Sequence, residues 1–392
     1  MLGSRRWLAK FGGCLTLAAA FAAVPAAAGD YFVFIGTQGR AILSARLDSD
    51  AGTIASVAPA AAIARPTWID IDPERPLLFA VSEIGNYDAE PGQVASFAID
   101  PASGALTPVS LIESGGNGPT HLSYSPKSAT LFVAHFGRGQ VAALPVSEEG
   151  VIGAPAAIVI NEGSGPHAKQ KGPHAHQVVL SPDGRTLLVP DMGADRIFLW
   201  KFDPRTRALQ AGDPAAQHVP PAAGPRHLAI APDGRHLYLV TEISAEIRAF
   251  RLKKSGARLV PFQTLALDAG VSDTTGADGK PVPQRRNASE IVISADGRFI
   301  YASNRARNLI QVYARDRRNG RLTHVQDVPS GGDTPRSFAI APGGRWLLVG
   351  NQASLTVQIF AVDPVSGRLT AHGGPVAMPD KPVSFAFFPQ TP

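Results

Sequence analysis

Short apolar runs separated by turns recur along this chain about every 40–50 residues. Five copies of the pattern begin and end with a proline: Pro66–Pro73, Pro119–Pro126, Pro225–Pro232, Pro335–Pro342 and Pro382–Pro389. Two further copies, HAHQVVLSPDGRTLLVPD and SEIVISADGRFIYASN, lack the first proline. Seven copies of a unit built from short strands predict a propeller or a solenoid.

Within each copy the apolar and polar segments follow the same order. An apolar strand leads into a turn such as Ser181–Gly184, where proline and glycine suit the φ angles that a tight turn requires. A second strand follows, then a polar gap, a third strand and a turn into a more polar fourth strand. Four antiparallel strands per unit are typical of a propeller blade. We therefore predict an all-β protein with seven four-stranded blades.

The two ends of the repeat are complementary. Tyr31–Gln38 resembles a second strand with no first strand before it, and Pro382–Pro389 resembles a first strand with no second strand after it. Together they would complete the seventh blade and close the ring by pairing the N- and C-terminal strands. Because closure removes exposed sheet edges, we expect a monomer.

Residues 1–28 have the pattern of a signal peptide. Arg5, Arg6 and Lys10 precede an apolar stretch, and Ala26–Ala28 offers small residues for cleavage. The arginine pair also resembles a twin-arginine export signal. We expect residues 29–392 to form one propeller domain that is periplasmic or secreted, with no membrane attachment after cleavage.

Charge and cysteine content narrow the possible functions of the mature chain. The net charge is +5, and residues 1–28 supply three positive charges, which leaves +2 and makes a nucleic-acid partner unexpected. The only cysteine, Cys14, lies in the predicted signal peptide, so we expect neither disulfides nor thiolate metal sites. His174 and His176 lie on one side of a strand, but no third metal ligand is evident, and we expect no metal.

Unlike charged residues occupy matched positions of the copies. The position after the first proline holds His176, Arg226 and Arg336, and the position after the second strand holds Glu83, Glu242 and Arg305. In a propeller these positions converge at one mouth of the central channel, together with His174. Two longer segments, 162–172 and 269–288, should project from the same mouth. Converging arginines, histidines and glutamates suit a small anionic or polar substrate.

The segments GPHAHQVVLSPDGRTLLVPDMGADRI, GPRHLAIAPDGRHLYLVTE, ASEIVISADGRFIYASNR and PRSFAIAPGGRWLLVGNQ give the chain a family resemblance. It resembles the seven-bladed propeller lactonases, which include 6-phosphogluconolactonases and carboxy-cis,cis-muconate lactonizing enzymes. The resemblance implies a catalytic set of His176, Arg226, Glu242 and Arg305. We expect no cofactor, and the sequence has no nucleotide-binding glycine motif. His174 is an alternative to His176. We expect His174, Arg336 and Glu83 to bind substrate.

Three functions remain open at this point. The first is an exported enzyme that hydrolyses a sugar or organic-acid lactone. The second is a cycloisomerase that acts on a muconate-like dicarboxylic acid, and the third is a binding or scaffold propeller without catalysis. Catalysis requires His176, Arg226, Glu242 and Arg305 to share one pocket, whereas a structural role would scatter them or place them in ion pairs between blades.

Overall fold

The computed structural model describes residues 30–86, 90–253, 258–268, 274–275, 281–282 and 287–390. The predicted signal peptide at 1–28 lies outside these residues, as does most of the predicted long segment 269–288. The described residues form seven four-stranded antiparallel sheets. The prediction of a seven-bladed propeller is confirmed.

The strands follow the predicted order of four per blade. They are β1 (Tyr31–Thr37), β2 (Ala41–Asp48) and β3 (Thr53–Ala62); β4 (Ile69–Ile71), β5 (Leu77–Ser82), β6 (Gln93–Ile99) and β7 (Leu106–Glu113) in blade 1; β8 (Pro119–Ser125), β9 (Thr130–His135), β10 (Gln140–Pro145) and β11 (Ala157–Ile160) in blade 2; β12 (Val179–Leu180), β13 (Thr186–Asp191), β14 (Arg196–Phe202) and β15 (Leu209–His218) in blade 3. The remaining strands are β16 (Pro225–Ile230), β17 (His236–Thr241), β18 (Glu246–Lys253) and β19 (Arg258–Ala266) in blade 4; the short pair β20 (Thr274–Thr275) and β21 (Pro281–Val282); β22 (Ala288–Ile293), β23 (Phe299–Asn304), β24 (Leu309–Arg315) and β25 (Leu322–Pro329) in blade 5; β26 (Pro335–Ile340), β27 (Trp346–Asn351), β28 (Thr356–Val362) and β29 (Leu369–Ala377) in blade 6; and β30 (Pro382–Pro389). A 3-10 turn, Pro126–Ser128, joins β8 to β9.

The core of the protein lies between the blades. The second strand of each of blades 1 to 6 is buried at every position, because both of its faces pack against a neighbouring blade. Seven apolar clusters result, one between each pair of adjacent blades. The outer strands instead alternate exposed and half-buried residues, as in β7 and β11.

Blade 7 closes the ring in the predicted way. Its strand order is β3-β2-β1-β30, so β30 is the innermost strand. The β1–β30 register runs from Tyr31 opposite Pro389 to Thr37 opposite Pro382. The prediction of closure by the terminal strands is therefore confirmed.

Deleting residues 382–392 is expected to abolish the cooperative thermal transition and to cause association of the protein. The deletion removes β30, which exposes the edge of β1 and uncovers the apolar clusters on both sides of blade 7. Calorimetry and size-exclusion chromatography would show the effect. Deletion of residues 390–392, which leaves β30 whole, is the control. A 382–392 deletion that melts like the full chain would refute the role of closure.

Candidate active site

Beta-bulges direct side chains of the innermost strands into the channel. In five blades the strand register shifts at the residue that follows the first position of the inner strand: Thr120, Arg226, Ser289, Arg336 and Val383. A bulged residue lacks a cross-strand partner, and the local twist turns its side chain away from the regular alternation. Four of the five bulged residues line a cavity at the mouth of the channel, namely Thr120, Arg226, Arg336 and Val383.

A cavity of about 610 Å³ lies where the inner strands begin. Six of the seven predicted site residues line it: Glu83, His174, His176, Glu242, Arg305 and Arg336. Arg226 instead lines a second, much smaller cavity of about 10 Å³, to which His176 and Arg336 also contribute. The structure therefore groups all seven residues around two adjoining cavities.

Glu242 lies at the centre of an ion-pair network. Its Oε2 is 3.2 Å from Arg226 Nε and 2.8 Å from Arg305 Nη2, and its Oε1 is 3.3 Å from Lys169 Nζ. Burial raises the pKa of Glu242, but Arg305 and Arg226 outweigh burial and bring the pKa down to about 2. A carboxylate with so low a pKa is a poor proton acceptor at neutral pH. It instead supplies a fixed negative charge between the two arginines.

The two arginines paired with Glu242 are also held by backbone carbonyl groups. Arg226 Nη1 donates to the carbonyl oxygen of Ser289 at 2.8 Å, and Arg305 Nη2 donates to that of Ala288 at 3.0 Å. Because Glu242 belongs to blade 4 and Arg305 to blade 5, their ion pair joins two blades. On the sequence alone a shared pocket and an interblade ion pair are alternatives, and the structure combines them.

Arg336 differs from the other two arginines. No hydrogen bond or ion pair of its side chain occurs among the described residues, although the guanidinium lines both cavities. Burial lowers the pKa of Arg336, and nearby Glu83 partly offsets that effect. Its guanidinium is thus available to an anionic or carbonyl oxygen of a ligand.

Glu83 also keeps an unused hydrogen-bonding atom. Its Oε1 accepts a hydrogen bond of 2.7 Å from Asn86 Nδ2, whereas its buried Oε2 has no partner among the described residues. Glu83 is 5% exposed and lines the large cavity. A free carboxylate oxygen at this place can accept a hydrogen bond from a substrate hydroxyl group.

The two candidate histidines occupy different environments. His174 is half-buried; its ring stacks on Phe136 with centroids 4.5 Å apart, and its Nδ1 lies 2.5 Å from the Phe136 carbonyl oxygen. Because a carbonyl only accepts hydrogen bonds, Nδ1 carries the hydrogen and Nε2 is left as an acceptor. This arrangement suits His174 to hold a hydroxyl group in place.

His176 is 5% exposed and lies between the two cavities. Burial, followed by the charge of Arg226, keeps the pKa of His176 well below its ordinary value, so the ring is neutral at pH 7. Its buried Nδ1 has no partner among the described residues. A neutral imidazole can accept a proton, which is compatible with the place of His176 in the catalytic set that the family resemblance implies.

The 162–172 segment lies against the large cavity, as the sequence predicted. Fully buried Gln170 anchors it, since its Nε2 donates to the Met192 carbonyl and to Asp195 Oδ1, both at 2.8 Å. The anchor places the flanking Lys169 and Lys171 on the cavity wall. The lining then contains five cationic side chains and two carboxylates, an excess of three positive charges: Arg65, Lys169, Lys171, Arg305 and Arg336 against Glu83 and Glu242.

The sequence-based predictions omit the residues that directly follow the first of the two matched positions. Trp68, His227, Glu290 and Ser337 each come one residue later in their copies, and all four line the small cavity. The signal was present, because this position also holds unlike polar residues in successive copies. Within the described parts of the chain, no group of three or more His, Cys, Asp or Glu side chains is placed to hold a metal ion.

Comparison with known proteins assigns the chain to a family. The family described as "Lactonase, 7-bladed beta-propeller" matches residues 28–387, and the protein belongs to it. The 6-phosphogluconolactonase of Bacillus subtilis is 27% identical over 318 residues, which cover 80% of this chain and 85% of that protein. The 6-phosphogluconolactonase of Klebsiella pneumoniae is 30% identical over 63% of this chain and 67% of its own length.

A solved structure shows the same similarity. The periplasmic gluconolactonase of Pseudomonas aeruginosa superimposes with a TM-score of 0.85 and 33% sequence identity, covering 92% of this chain and all of that one. No helix in the described ranges is long and apolar enough to cross a membrane.

Proposed function

We propose that this protein hydrolyses a lactone that carries an anionic group, such as a sugar or organic-acid lactone. The observation that supports this most is the Arg336 guanidinium, which has no hydrogen bond or ion pair among the described residues. It lines the same cavity as His174 and His176, and the lining of that cavity has an excess of positive charge. The names of the relatives, 6-phosphogluconolactonase and gluconolactonase, agree with a lactone substrate.

In the proposed mechanism the lactone carbonyl lies between Arg336 and His176. A water molecule attacks the carbonyl carbon while His176 Nε2 takes its proton, and the carbonyl oxygen becomes an oxyanion that Arg336 stabilises. The ring C–O bond then breaks, and the proton passes to the departing ring oxygen. The product is an open-chain hydroxy acid. His174 Nε2 and the free Oε2 of Glu83 accept hydrogen bonds from substrate hydroxyl groups.

The remaining charged residues set the electrostatic environment of this reaction. Glu242 stays ionised and holds Arg226 and Arg305 in place, so the positive wall of the cavity keeps a fixed geometry. Preorganised charge of this kind costs no rearrangement when the oxyanion forms.

Replacing Lys169 and Lys171 together by glutamine should raise KM for an anionic lactone about 10-fold and leave KM for a neutral lactone within about twofold. Lys169 is 57% exposed, and each lysine adds a screened attraction of about 1 kcal/mol or less to a ligand charge. The KM values would be compared at low and high salt. Replacing Lys201, an exposed lysine that does not line the cavity, is the control. Equal changes for both lactones would exclude selection by charge.

The proposed activity is tested by following proton release from a panel of lactones with the purified protein. The panel holds gluconolactone, its 6-phosphate and a muconolactone, each tested with the wild type and with Arg336→Gln. We expect turnover of the phosphate or carboxylate lactone that falls at least about 100-fold in the variant, the size of losing one oxyanion donor. No turnover of any lactone above the spontaneous rate would refute the proposal.

We also propose that the protein is exported. The charged and apolar segments of residues 1–28 support this, as does the similarity to a gluconolactonase named as periplasmic. Mass spectrometry of the N-terminus after expression of the full gene would test it. Cleavage near Ala28 is the expected result, and an intact N-terminus in the cytoplasmic fraction would contradict it.

A further inference from the structure

Three buried polar atoms without partners belong to residues that line the same small cavity. They are Thr67 Oγ1, His176 Nδ1 and His227 Nε2, and each lacks a hydrogen bond among the described residues. The three residues are 4%, 5% and 2% exposed. A buried polar atom without a partner has lost its hydrogen bonds to water with nothing in return, so three of them around one cavity indicate a shared ligand.

The size and chemistry of the cavity match one water molecule. Its volume is about 10 Å³, close to the smallest space that holds a water. Buried waters in proteins make about three hydrogen bonds to groups that lack other partners. Thr67, His176 and His227 supply that number.

Glu290 fixes the state of His227. His227 Nδ1 lies 2.7 Å from Glu290 Oε1, and Ser337 Oγ donates to Glu290 Oε2 at 3.0 Å. The carboxylate only accepts, so Nδ1 of His227 carries the hydrogen and its Nε2 is left as an acceptor. The His227 ring is edge-on to the His176 ring, with centroids 5.1 Å apart.

The charges around the two histidines differ in sign. His176 faces Arg226, Arg336 and His227, and the arginines oppose a positive charge on its ring. His227 faces His121, His176, Arg226 and Arg336, and burial lowers its pKa, but its contact with the Glu290 carboxylate offsets part of that effect. A proton is therefore better placed on His227 than on His176.

We propose that Glu290 and His227 form a positioning pair that relays the catalytic proton from His176 through one water bound in the small cavity. This inference rests on the proposed lactonase function of His176. When His176 Nε2 takes the proton of the attacking water, its Nδ1 proton passes to the buried water, and that water gives one of its protons to His227 Nε2. The reverse transfer supplies the proton to the departing ring oxygen.

The relay is tested first by Glu290→Gln in the full chain. Glutamine keeps an acceptor for His227 and a polar group for Ser337 but removes the charge. We expect kcat to fall about 10- to 100-fold, as on loss of other outer partners of functional histidines, with KM within about twofold. Because the carboxylate favours a protonated imidazole, the acid limb of the kcat/KM profile should move to lower pH.

Two further variants separate the relay from a packing effect. Thr67→Val keeps the shape of the side chain and removes the hydroxyl, and should lower kcat about 3- to 10-fold, the size of losing one neutral hydrogen bond. His121→Asn is the control, since His121 is buried in the same aromatic group, 5.6 Å from His227, but does not border the small cavity. It should leave the shape of the pH profile unchanged. Unchanged kcat and pH profiles in both Glu290→Gln and Thr67→Val would overturn the relay.

A measurement without substrate makes the two proposals separable. A high-resolution crystal structure should show one water within hydrogen-bonding distance of Thr67, His176 and His227, and ¹⁵N NMR should show a lower pKa of His227 in Glu290→Gln. If these signals appear but the wild type hydrolyses no lactone, the proposed function fails and the pair stands. If the wild type is active but the water and the pKa change are missing, the relay fails alone.

Discussion

Replacing Glu242 by glutamine is expected to lower the free energy of unfolding by about 3–5 kcal/mol, the usual cost of removing one partner from a buried ion pair. Glu242 is 9% exposed and neutralises Arg226 and Arg305, of which the latter lies on the next blade. Without the carboxylate the two buried guanidinium groups repel each other. Urea unfolding followed by tryptophan fluorescence would measure the change.

The control for this experiment is Glu246→Gln. Glu246 pairs with Arg248 at 2.6 Å, but that pair is partly exposed and lies on the same strand. Its loss should cost less than about 1 kcal/mol. Equal stability losses in the two variants would show that the network around Glu242 contributes no more to the free energy of unfolding than an ordinary surface ion pair.

The same network predicts a dependence of stability on pH. The pKa of Glu242 is about 2 in the folded protein against an ordinary value of 4.5, so its contribution is fully present above about pH 4.5. The contribution is lost as the pH falls from about 4.5 to about 2. The stability of Glu242→Gln should change less over this range than that of the wild type, as measured by urea unfolding at a series of pH values.

Replacing His176 by alanine should lower kcat/KM for the preferred lactone about 10²- to 10⁴-fold, the range that general acid–base catalysis contributes. His176 is neutral, borders both cavities and lies next to Arg336, so its loss removes the proton acceptor. His174→Ala is the matched variant, because it removes a histidine two residues away on the same cavity wall. It should raise KM and change kcat less than about 10-fold.

Steady-state rates of the two histidine variants across pH 5–9 would decide between these roles. A larger loss of kcat in His174→Ala than in His176→Ala would exchange the assignments. Melting curves that match the wild type are needed for both, since alanine at position 176 leaves a space in a buried cluster.

The fold could be predicted almost completely from the sequence, because each blade repeats the same local pattern. The turns and the apolar strands of each repeat are determined by residues close together in the sequence. The incomplete units at Tyr31–Thr37 and Pro382–Pro389 each lack the strand that the other supplies, so their pairing could also be predicted. The interfaces between blades follow from the same repeat, because blades with the same apolar faces bury those faces against one another when they are arranged in a ring.

The sequence predicts which residues come together at the site, but not which of them form hydrogen bonds and ion pairs with one another. Matched positions brought Glu242, Arg226 and Arg305 together, but distance and angle decide which groups pair, and no sequence pattern gives those. The availability of Arg336 and the pairing of His227 with Glu290 depend on bulges in neighbouring strands. A bulge changes the direction of a side chain, and an alignment of repeats, which matches residues only by position in the sequence, does not contain that information.

The strand that completes the ring is also the last part of the fold to be synthesised. Val383 of β30 forms part of the wall of the small cavity beside His176 and His227. Six blades can form while the chain is still being made. The wall of the small cavity is incomplete until the final strand docks against β1, more than 300 residues away along the chain. Such a distant pairing is slow. Catalytic competence should therefore appear late and all at once, and a chain in which this strand has not yet docked should be inactive.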